Sequence, residues 1–343
     1  MVLTRSFPTQ HPSGLPITDT RRVAAALVAR NADGTPRAGV FPANANPLVT
    51  GRASMGYDVA PFLAATSRIN NGVELIANDA VTVVATTAAP ASNSRIDVIW
   101  VRSQFVQHAD ANNDVVFGVT QGTPAGIPAK PAIPQGALEL ATAEITSTTT
   151  TTATAVITQT HTYTAAAGAA VQMRNRVELD AWAAPVGATA RTLDTDLEWV
   201  RRSSPSLGWY LAPGQRLAYM ASAVTNGNAN TIIGTVAKTI PLPIGQRVKI
   251  YCKPVSMYVA AAAGIVYYSI RATNAAADIS PSTVSPKKTT SRGMHPGSSG
   301  VTSVPGTAME MVTTQAQPVS AALFNEFGVT YDVDGQELWI EAA

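Results

Sequence analysis

Apolar residues recur at every second position along most of this chain, in short runs. In RIDVIWVRSQF (95–105), Ile96, Val98, Trp100 and Arg102 face one way, and Asp97, Ile99 and Val101 the other. That is the period of a β-strand. VELIAND, VTVVATT, residues 115–119 and ALELATAEI (137–145) repeat it, rich in β-branched side chains. Asn70-Asn71-Gly72, Asn78-Asp79 and Pro90 to Asn93 supply the turns between runs. Short strands at regular spacing predict a sandwich or small barrel. The final third is β again: LAYMASAV, NTIIGTVAKTIPLP, QRVKIYCKPV, GIVYYSIRAT and GVTYDVDGQELWIEA all read as strands. A long soft loop, 274–300, lies among them.

Helical periodicity is confined to two places. ITDTRRVAAALVARN (17–31) can be capped by Thr18 or Asp19 and places Val23, Ala26, Leu27 and Arg30 on one face. A short helix is expected near Val177–Trp182, followed by a small hairpin with exposed aromatics ending at GWY. Residues 1–16 read as an irregular arm. Near the C-terminus Asp334–Gly335 is a hairpin signal that pairs Tyr331 with Leu338 and Val329 with Ile340. The same register sets Asp332 against Glu337, so a loop longer than two residues is expected there.

FGVTQGTPAGIPAKPAIPQG (117–136) breaks every periodicity. Pro124, Pro128, Pro131 and Pro134 each fix φ and remove a backbone donor. The stretch is neither helix nor central strand. Extended, it spans up to about 60 Å, and its Val119, Ile127 and Ile133 need a surface to cover them. The threonine run 148–152 has strand propensity without an apolar side. Both segments are expected to extend between copies of the chain, making a symmetric oligomer with swapped arms.

Composition narrows the function. Charged residues make up 13% of the 343, with a net charge of +2, and the basic pairs are scattered. A nucleic-acid footprint needs a clustered stripe. The N-terminus has no apolar h-region, so no secretory signal is expected. The apolar run MYVAAAAGIVYY is too short to span a bilayer. Cys252, the single cysteine, sits in an alternating run and reads as a core residue.

Candidate chemistry is sparse. His11, His108, His161 and His295 are widely spaced in polar, turn-like settings and form no metal-binding motif. Asp332 and Asp334 resemble the opening of a calcium loop but lack its closing glutamate. GRASMG (51–56) has the wrong spacing for a nucleophile elbow. Asp194 and Asp196 read as turn-formers rather than a glycosidase pair. No catalytic, cofactor-binding or metal residue is assigned, no cofactor is implied, and no enzyme is expected. Trp182, Trp199, Trp209 and Tyr210 cluster in sequence and read as a sugar platform, as the core of the small module, or as its interface with a neighbour.

Several strings carry a resemblance in their order. ASMGYDVAPFLAATSR, GVELIAND, SRIDVIWVR and GVTQGTPAG…IPQGALELATAEI resemble the N-terminal region of minor tail or baseplate proteins of long-tailed, siphovirus-type actinobacteriophages. RNRVELDAWAAPVGATARTLDTDLEWVRR…GW resembles a small helix-hairpin module of phage fibre proteins. RLAYM…IPLPIGQRVKIYCKP…YYSIRAT resembles their β-sandwich heads. The resemblance covers most of 15–275 and excludes the 274–300 loop and the DVDG hairpin. No residue role is carried over, because the group is defined by architecture.

The resemblance implies a mainly β fold. Its expected parts are an N-terminal arm with helix (1–47), a β-sandwich anchoring domain with its Pro-rich arm (48–145), a connector with the helix-hairpin module (146–211), and a jelly-roll-like head (212–343). It implies a non-enzymatic virion structural protein of the tail tip, made in the host cytoplasm. Its expected partners are its own copies as a homotrimer, other tail or baseplate proteins, and host-envelope glycan; nucleic acid and membrane insertion are not expected. A head fibre or capsid decoration protein, or a tail-associated carbohydrate-binding or depolymerising protein, are the alternatives. The trimer number rests on the resemblance; the oligomer rests on the proline ribbon.

Overall fold

The computed structural model describes residues 16–42, 47–68, 72–227, 232–252, 255–259, 264–275, 287–295, 300–304, 307–325 and 331–343. The expected arm before residue 16, His11, and the Asn70-Asn71 turn lie outside them. The fold is mainly β, as the alternation predicts. The chain divides into two compact units, Met1–Asp196 and Leu197–Ala343.

The first unit opens with α1 (Ile17–Ala24), which tightens into a 3₁₀ turn at Ala25–Leu27. The helix is shorter than its periodicity predicts. Val28 leaves it for extended backbone because Ala29 N–H reaches the carbonyl of Ala165 (2.9 Å) and Arg37 N–H that of Ala29 (2.7 Å). The buried side is also not the expected one: Arg21 and Ala25 point inward and Leu27 outward. Arg21 goes in because Glu74 waits there. Its Nε donates to Glu74 Oε1 (2.6 Å), and Thr66 donates to Oε2 (2.8 Å). Burial holds the Glu74 carboxyl above its ordinary range in spite of Arg21.

Six strands follow: β1 (Gly39–Val40), β2 (Val49–Gly51), β3 (Gly56–Val59), β4 (Phe62–Thr66), β5 (Glu74–Asn78) and β6 (Thr82–Ala85). β3 and β4 run against β6 and β5 as one long bent hairpin, from Gly56 opposite Ala85 to Thr66 opposite Glu74. β2 lies along β3 and β1 along β4. The second sheet contains β7 (Ser94–Ser103), β8 (Val115–Gln121), β9 (Leu138–Thr146) and β10 (Val156–Gln159), in the order β10-β9-β7-β8. Tyr57, Val59, Phe62, Ile76 and Val84 meet Ile99, Val101, Leu140 and Ile145 in one core, so the two layers form a sandwich. Gln159 ties the layers at their edge. Its Oε1 accepts from Leu48 and Val49 N–H (3.1 and 3.0 Å), and its Nε2 donates to Val49 O (2.8 Å).

Arg95 and Asp97 of the RID run share the inward phase of β7, and Asp97 is 0% exposed. Its carboxylate accepts from Arg95 Nε (2.7 Å), Tyr57 OH (3.0 Å) and Thr86 Oγ1 (2.6 Å). The Arg95 guanidinium in turn donates to the carbonyls of Thr87 (2.9 Å) and Ala88 (2.8 Å). The network staples the connection after β6 to β7. Burial, and then Asp97, push the Tyr57 phenol above its ordinary pKa.

The threonine run is not the extended inter-chain strand its propensity predicts. β9 ends at Thr146, and Thr146 N–H donates to Thr149 Oγ1 (3.1 Å) in a turn. Thr152 then buries its side chain, donating to the carbonyls of Gly56 and Ser54 and accepting from Arg52 N–H (3.0 Å). A Thr hydroxyl that can both donate and accept suits this plug better than a flat strand. Gly51 is required beneath it: a Cβ there would stand 1.9 Å from Thr152 O. The unit closes with β11 (Val171–Met173), parallel to β12 (Thr189–Thr192), around α2 (Arg176–Ala181). Asn175 caps α2 by accepting from Glu178 N–H (3.0 Å).

The second unit begins with a hairpin, β13 (Leu197–Arg202) and β14 (Gly208–Leu211). The remaining strands are β15 (Arg216–Gly227), β16 (Ile232–Lys238), β17 (Arg247–Cys252), β18 (Val255–Val259), β19 (Gly264–Thr273), β20 (Lys287–His295), β21 (Gly300–Val304), β22 (Thr307–Val312), β23 (Ser320–Asn325) and β24 (Tyr331–Ala342). β17 and β18 succeed one another along a single edge of β24, and β22 and β21 lie along them. Each pair is therefore one strand path. Counted so, the described strands from β15 to β24 form eight paths in two four-stranded sheets, 1-8-3-6 and 2-7-4-5. That order is a jelly roll.

Two expectations fail here. The 274–300 loop contains β20, which pairs with β19 from Lys287 opposite Ala272 to His295 opposite Gly264. Its lysines and arginine conceal a strand because β20 is a sheet edge, where charge is tolerated. Asp334–Gly335 is not a hairpin turn either. β24 runs straight through it, and the register against β15 shifts between Ser222–Gln336 and Val224–Val333. The Asp-Gly pair makes a bulge, the other place that backbone suits.

Asp97→Ala would leave Arg95 buried without its counter-charge. It is expected to cost about 3–5 kcal/mol, read as a lower urea midpoint for the unfolding of residues 1–196. Thr86→Ala, which removes one neutral donor, is expected to cost about 1–2 kcal/mol.

Candidate functional site

The four aromatics that cluster in sequence are not exposed. In the second unit Trp199 and Trp209 are each 1% exposed and Tyr210 is buried; in the first unit Trp182 is buried as well. Tyr210 OH donates to Ser206 O (3.1 Å), and Trp182 Nε1 to Asn31 Oδ1 (3.1 Å). They are core, and the expected exposed hairpin aromatics are corrected accordingly. Trp182 also carries the Arg37 guanidinium 4.6 Å over its ring. Burial lowers Arg37 to about 10.

Of the histidines, the side chains of His108 and His161 are described; His11 and the side chain of His295 lie outside the described residues. His108 packs edge-on to Phe105 at 6.0 Å. His161 is buried rather than at a polar turn, its Nδ1 3.2 Å from Leu140 O and its ring edge-on to Tyr163. Burial, then the nearby Arg174, lower it from 6.5 to about 4. Asp194 and Asp196 lie in the turn after β12, where Asp196 pairs with Arg191. Ser54 of GRASMG contributes only its carbonyl to the Thr152 plug. Among the described residues no group of His, Cys, Asp and Glu could hold a metal ion.

An exposed aromatic row lies elsewhere, on the outer face of the β15-β24-β17 sheet. Strand alternation puts Met220, Leu338, Ile340, Val248, Ile250 and Cys252 into the core. The opposite phase brings Tyr219 directly across from Trp339, and Trp339 across from Tyr251. Tyr251 and Trp339 stack with centroids 5.3 Å apart at 17°. Arg216 lies 5.3 Å over Tyr219 and 5.6 Å over Trp339. Two of the rings are thus stacked, and a cation links Trp339 to the third, Tyr219. Tyr219 remains 49% exposed.

A second row runs beside it, one alternation step away. Arg216, Glu341, Lys249 and Glu310 stand opposite one another across four strands, with signs alternating. Lys249 Nζ lies 3.1 Å from Glu310 Oε1, and Glu341 Oε1 accepts from Trp339 Nε1 at 3.0 Å. Glu310 holds the Lys249 amine above its ordinary pKa. Arg247 and Glu337 share this face. Among its described residues, cations and anions balance.

Sequence clustering missed this row because Tyr219, Tyr251 and Trp339 come from three separate strands, 32 and 88 residues apart in turn. A signal was nevertheless present: Lys249-Ile-Tyr251 and Glu337-Leu-Trp339-Ile-Glu341 put an aromatic ring on the charged phase of an alternating strand.

No protein-family model matches the chain, and no curated protein matches it. Among solved structures, the N-terminal CBM22-1–CBM22-2 tandem domain of Xyn10C from Paenibacillus barcinonensis is similar over 90% of this chain and 97% of its own. The identity is 12% and the TM-score 0.26, too low for ligand or role to be transferred.

Trp339→Ala removes one stacked pair and one cation contact. Each is worth about 0.5–1 kcal/mol, so the second unit is expected to lose about 1–2 kcal/mol in denaturant unfolding. Tyr219→Ala, at an exposed position, is expected to lose about half of that or less.

His161 gives a pH dependence of definite sign. Its folded value of about 4 lies below its ordinary 6.5, so the unfolded chain takes up the proton first. Stability falls as pH drops from about 7 to 4 and levels below that, by about 3 kcal/mol in all. In His161→Gln that component of the melting temperature against pH is expected to disappear.

Proposed function

We propose that this chain is a non-enzymatic structural protein of a phage tail tip or baseplate. It assembles as a homo-oligomer through its first unit and carries the jelly roll as an outward-facing head. The observation that carries the reading is the proline ribbon between β8 and β9. Its start continues the β8 edge of β7: Gly122 N–H donates to Ile96 O (2.7 Å) and Ala125 N–H to Ser94 O (2.9 Å). Its end is held by the Lys130–Glu139 ion pair (2.6 Å) and by Ala137 N–H on Pro134 O (3.0 Å). Between these anchors Ile127 is 94% exposed. The ribbon is therefore held on its own chain, not extended as the swapped arm its prolines predict. What it leaves for a second copy is its middle around Ile127, which loses little entropy on being covered because proline already restricts φ.

The outer side of the bent hairpin supports the same reading. Leu63, Leu75, Val81 and Val83 are each more than half exposed where a solvated strand face would be polar. The order of the sequence strings supplies the phage setting, and the trimer number comes from the same resemblance. The jelly roll adds an element of the architecture that resemblance implies. A head fibre or decoration protein would share these features. Antibody labelling of intact particles separates the two, with label expected at the tail tip.

Size-exclusion chromatography with light scattering tests the assembly. A mass of three chains at micromolar concentration is expected, and Ile127→Asp is expected to shift it toward one. A wild-type monomer under these conditions contradicts the reading.

A further inference from the structure

The outer face of the β15-β24-β17 sheet combines three features that point to a ligand. Tyr251 is stacked on Trp339, and Arg216 lies over both Trp339 and Tyr219, so binding orders few side chains. Three adjacent strands at about 4.8 Å spacing make the row about 10 Å long, a length two successive pyranose rings cover. The row beside it alternates donors (Arg216, Lys249) with acceptors (Glu341, Glu310). Sugar hydroxyls both donate and accept, and Tyr219, half exposed on the edge strand β15, keeps ring surface for the C–H face of a pyranose.

Charge selects among polymers. Arg216, Arg247 and Lys249 are balanced by Glu310, Glu337 and Glu341 on the same face. A polyanion would meet as much repulsion as attraction there. A second copy of this chain is also a poor occupant. Charged residues flank the aromatic row, whereas the centre of a protein interface is depleted of charge.

We propose that the Tyr219–Trp339–Tyr251 row binds a neutral, hydroxyl-rich polysaccharide. The assignment rests on the reading of the jelly roll as an outward-facing head, and names what that head contacts. Each site is shallow and binds weakly; several copies in one oligomer raise the avidity.

The test is affinity electrophoresis of the full chain in gels containing a soluble β-glucan, a mannan, a galactan or, as the anionic counterpart, polygalacturonate. At least one neutral polymer is expected to retard the wild type, and polygalacturonate is not. Trp339→Ala is expected to weaken retardation by about tenfold, and Tyr219→Ala by about threefold, the scale of losing one aromatic anchor. Tyr219 is half exposed, so its variant stays folded and keeps the test decisive if Trp339→Ala unfolds. The proposal is overturned if no neutral polymer retards the protein or if Tyr219→Ala binds like the wild type. Equal retardation by polygalacturonate overturns it too. So does a change of oligomer mass in Tyr219→Ala, which would make the face a contact between copies. An oligomer that none of the neutral polymers retards refutes the ligand and leaves the assembly standing; a monomer that is retarded does the reverse.

Discussion

The C-terminal unit depends on one insertion. β24 pairs with β15 along one edge and with β17 and β18 along the other, so its backbone groups are satisfied only when all of these are in place. The same insertion sets Trp339 between Tyr219 and Tyr251, and Glu341 between Arg216 and Lys249. The bulge at Asp334–Gly335 lies where the neighbour of β24 changes from β18 to β17. Sheet, core face and outer aromatic row are consequences of a single register.

The N-terminal unit is held by a different device. Its sandwich core contains charged and hydroxyl groups that find partners: Arg95 with Asp97, Arg21 with Glu74, Thr152 with three backbone groups. Such groups add little net stability over apolar packing. What they do here is geometric. Arg95 fixes the path of residues 86–88, Arg21 fixes α1 on the hairpin tip, and Thr152 fixes the turn that follows β2. A sandwich with short, frequently bent strands is thereby kept to one arrangement, while its exposed apolar residues remain outside on the ribbon and the hairpin.

Much of this was legible from alternation alone. β5 to β9, β15 to β17 and β19 lie where the alternating runs place them, whereas which phase of β7 faces inward was not legible: Asp97, Ile99 and Val101 are buried, and so is Val98 of the opposite phase. What escaped depends on partners distant in sequence. Leu27 has the right spacing for a helix face, but pairing with residues 165–166 draws the chain out of the helix. The threonines carry strand propensity, yet the buried carbonyls of Ser54 and Gly56 decide their conformation. Asp-Gly suits a tight turn and a bulge equally, and only the neighbouring strands choose between them. The tryptophans near residue 200 left a sugar platform and a core open, and their burial decides for core. The exposed row was hidden because only strand order assembles it.

The strand order also dictates a timetable. In the first unit most strands pair with a neighbour close in the chain, so that sandwich can form as it is synthesised. In the jelly roll, path one must wait for path eight, more than a hundred residues later. Until residues 331–342 emerge from the ribosome, β15 and β17 present open edges, the kind that templates aggregation. The jelly roll therefore closes only once its last strand is made, and the yield of folded protein hinges on how long those nascent edges are left unguarded.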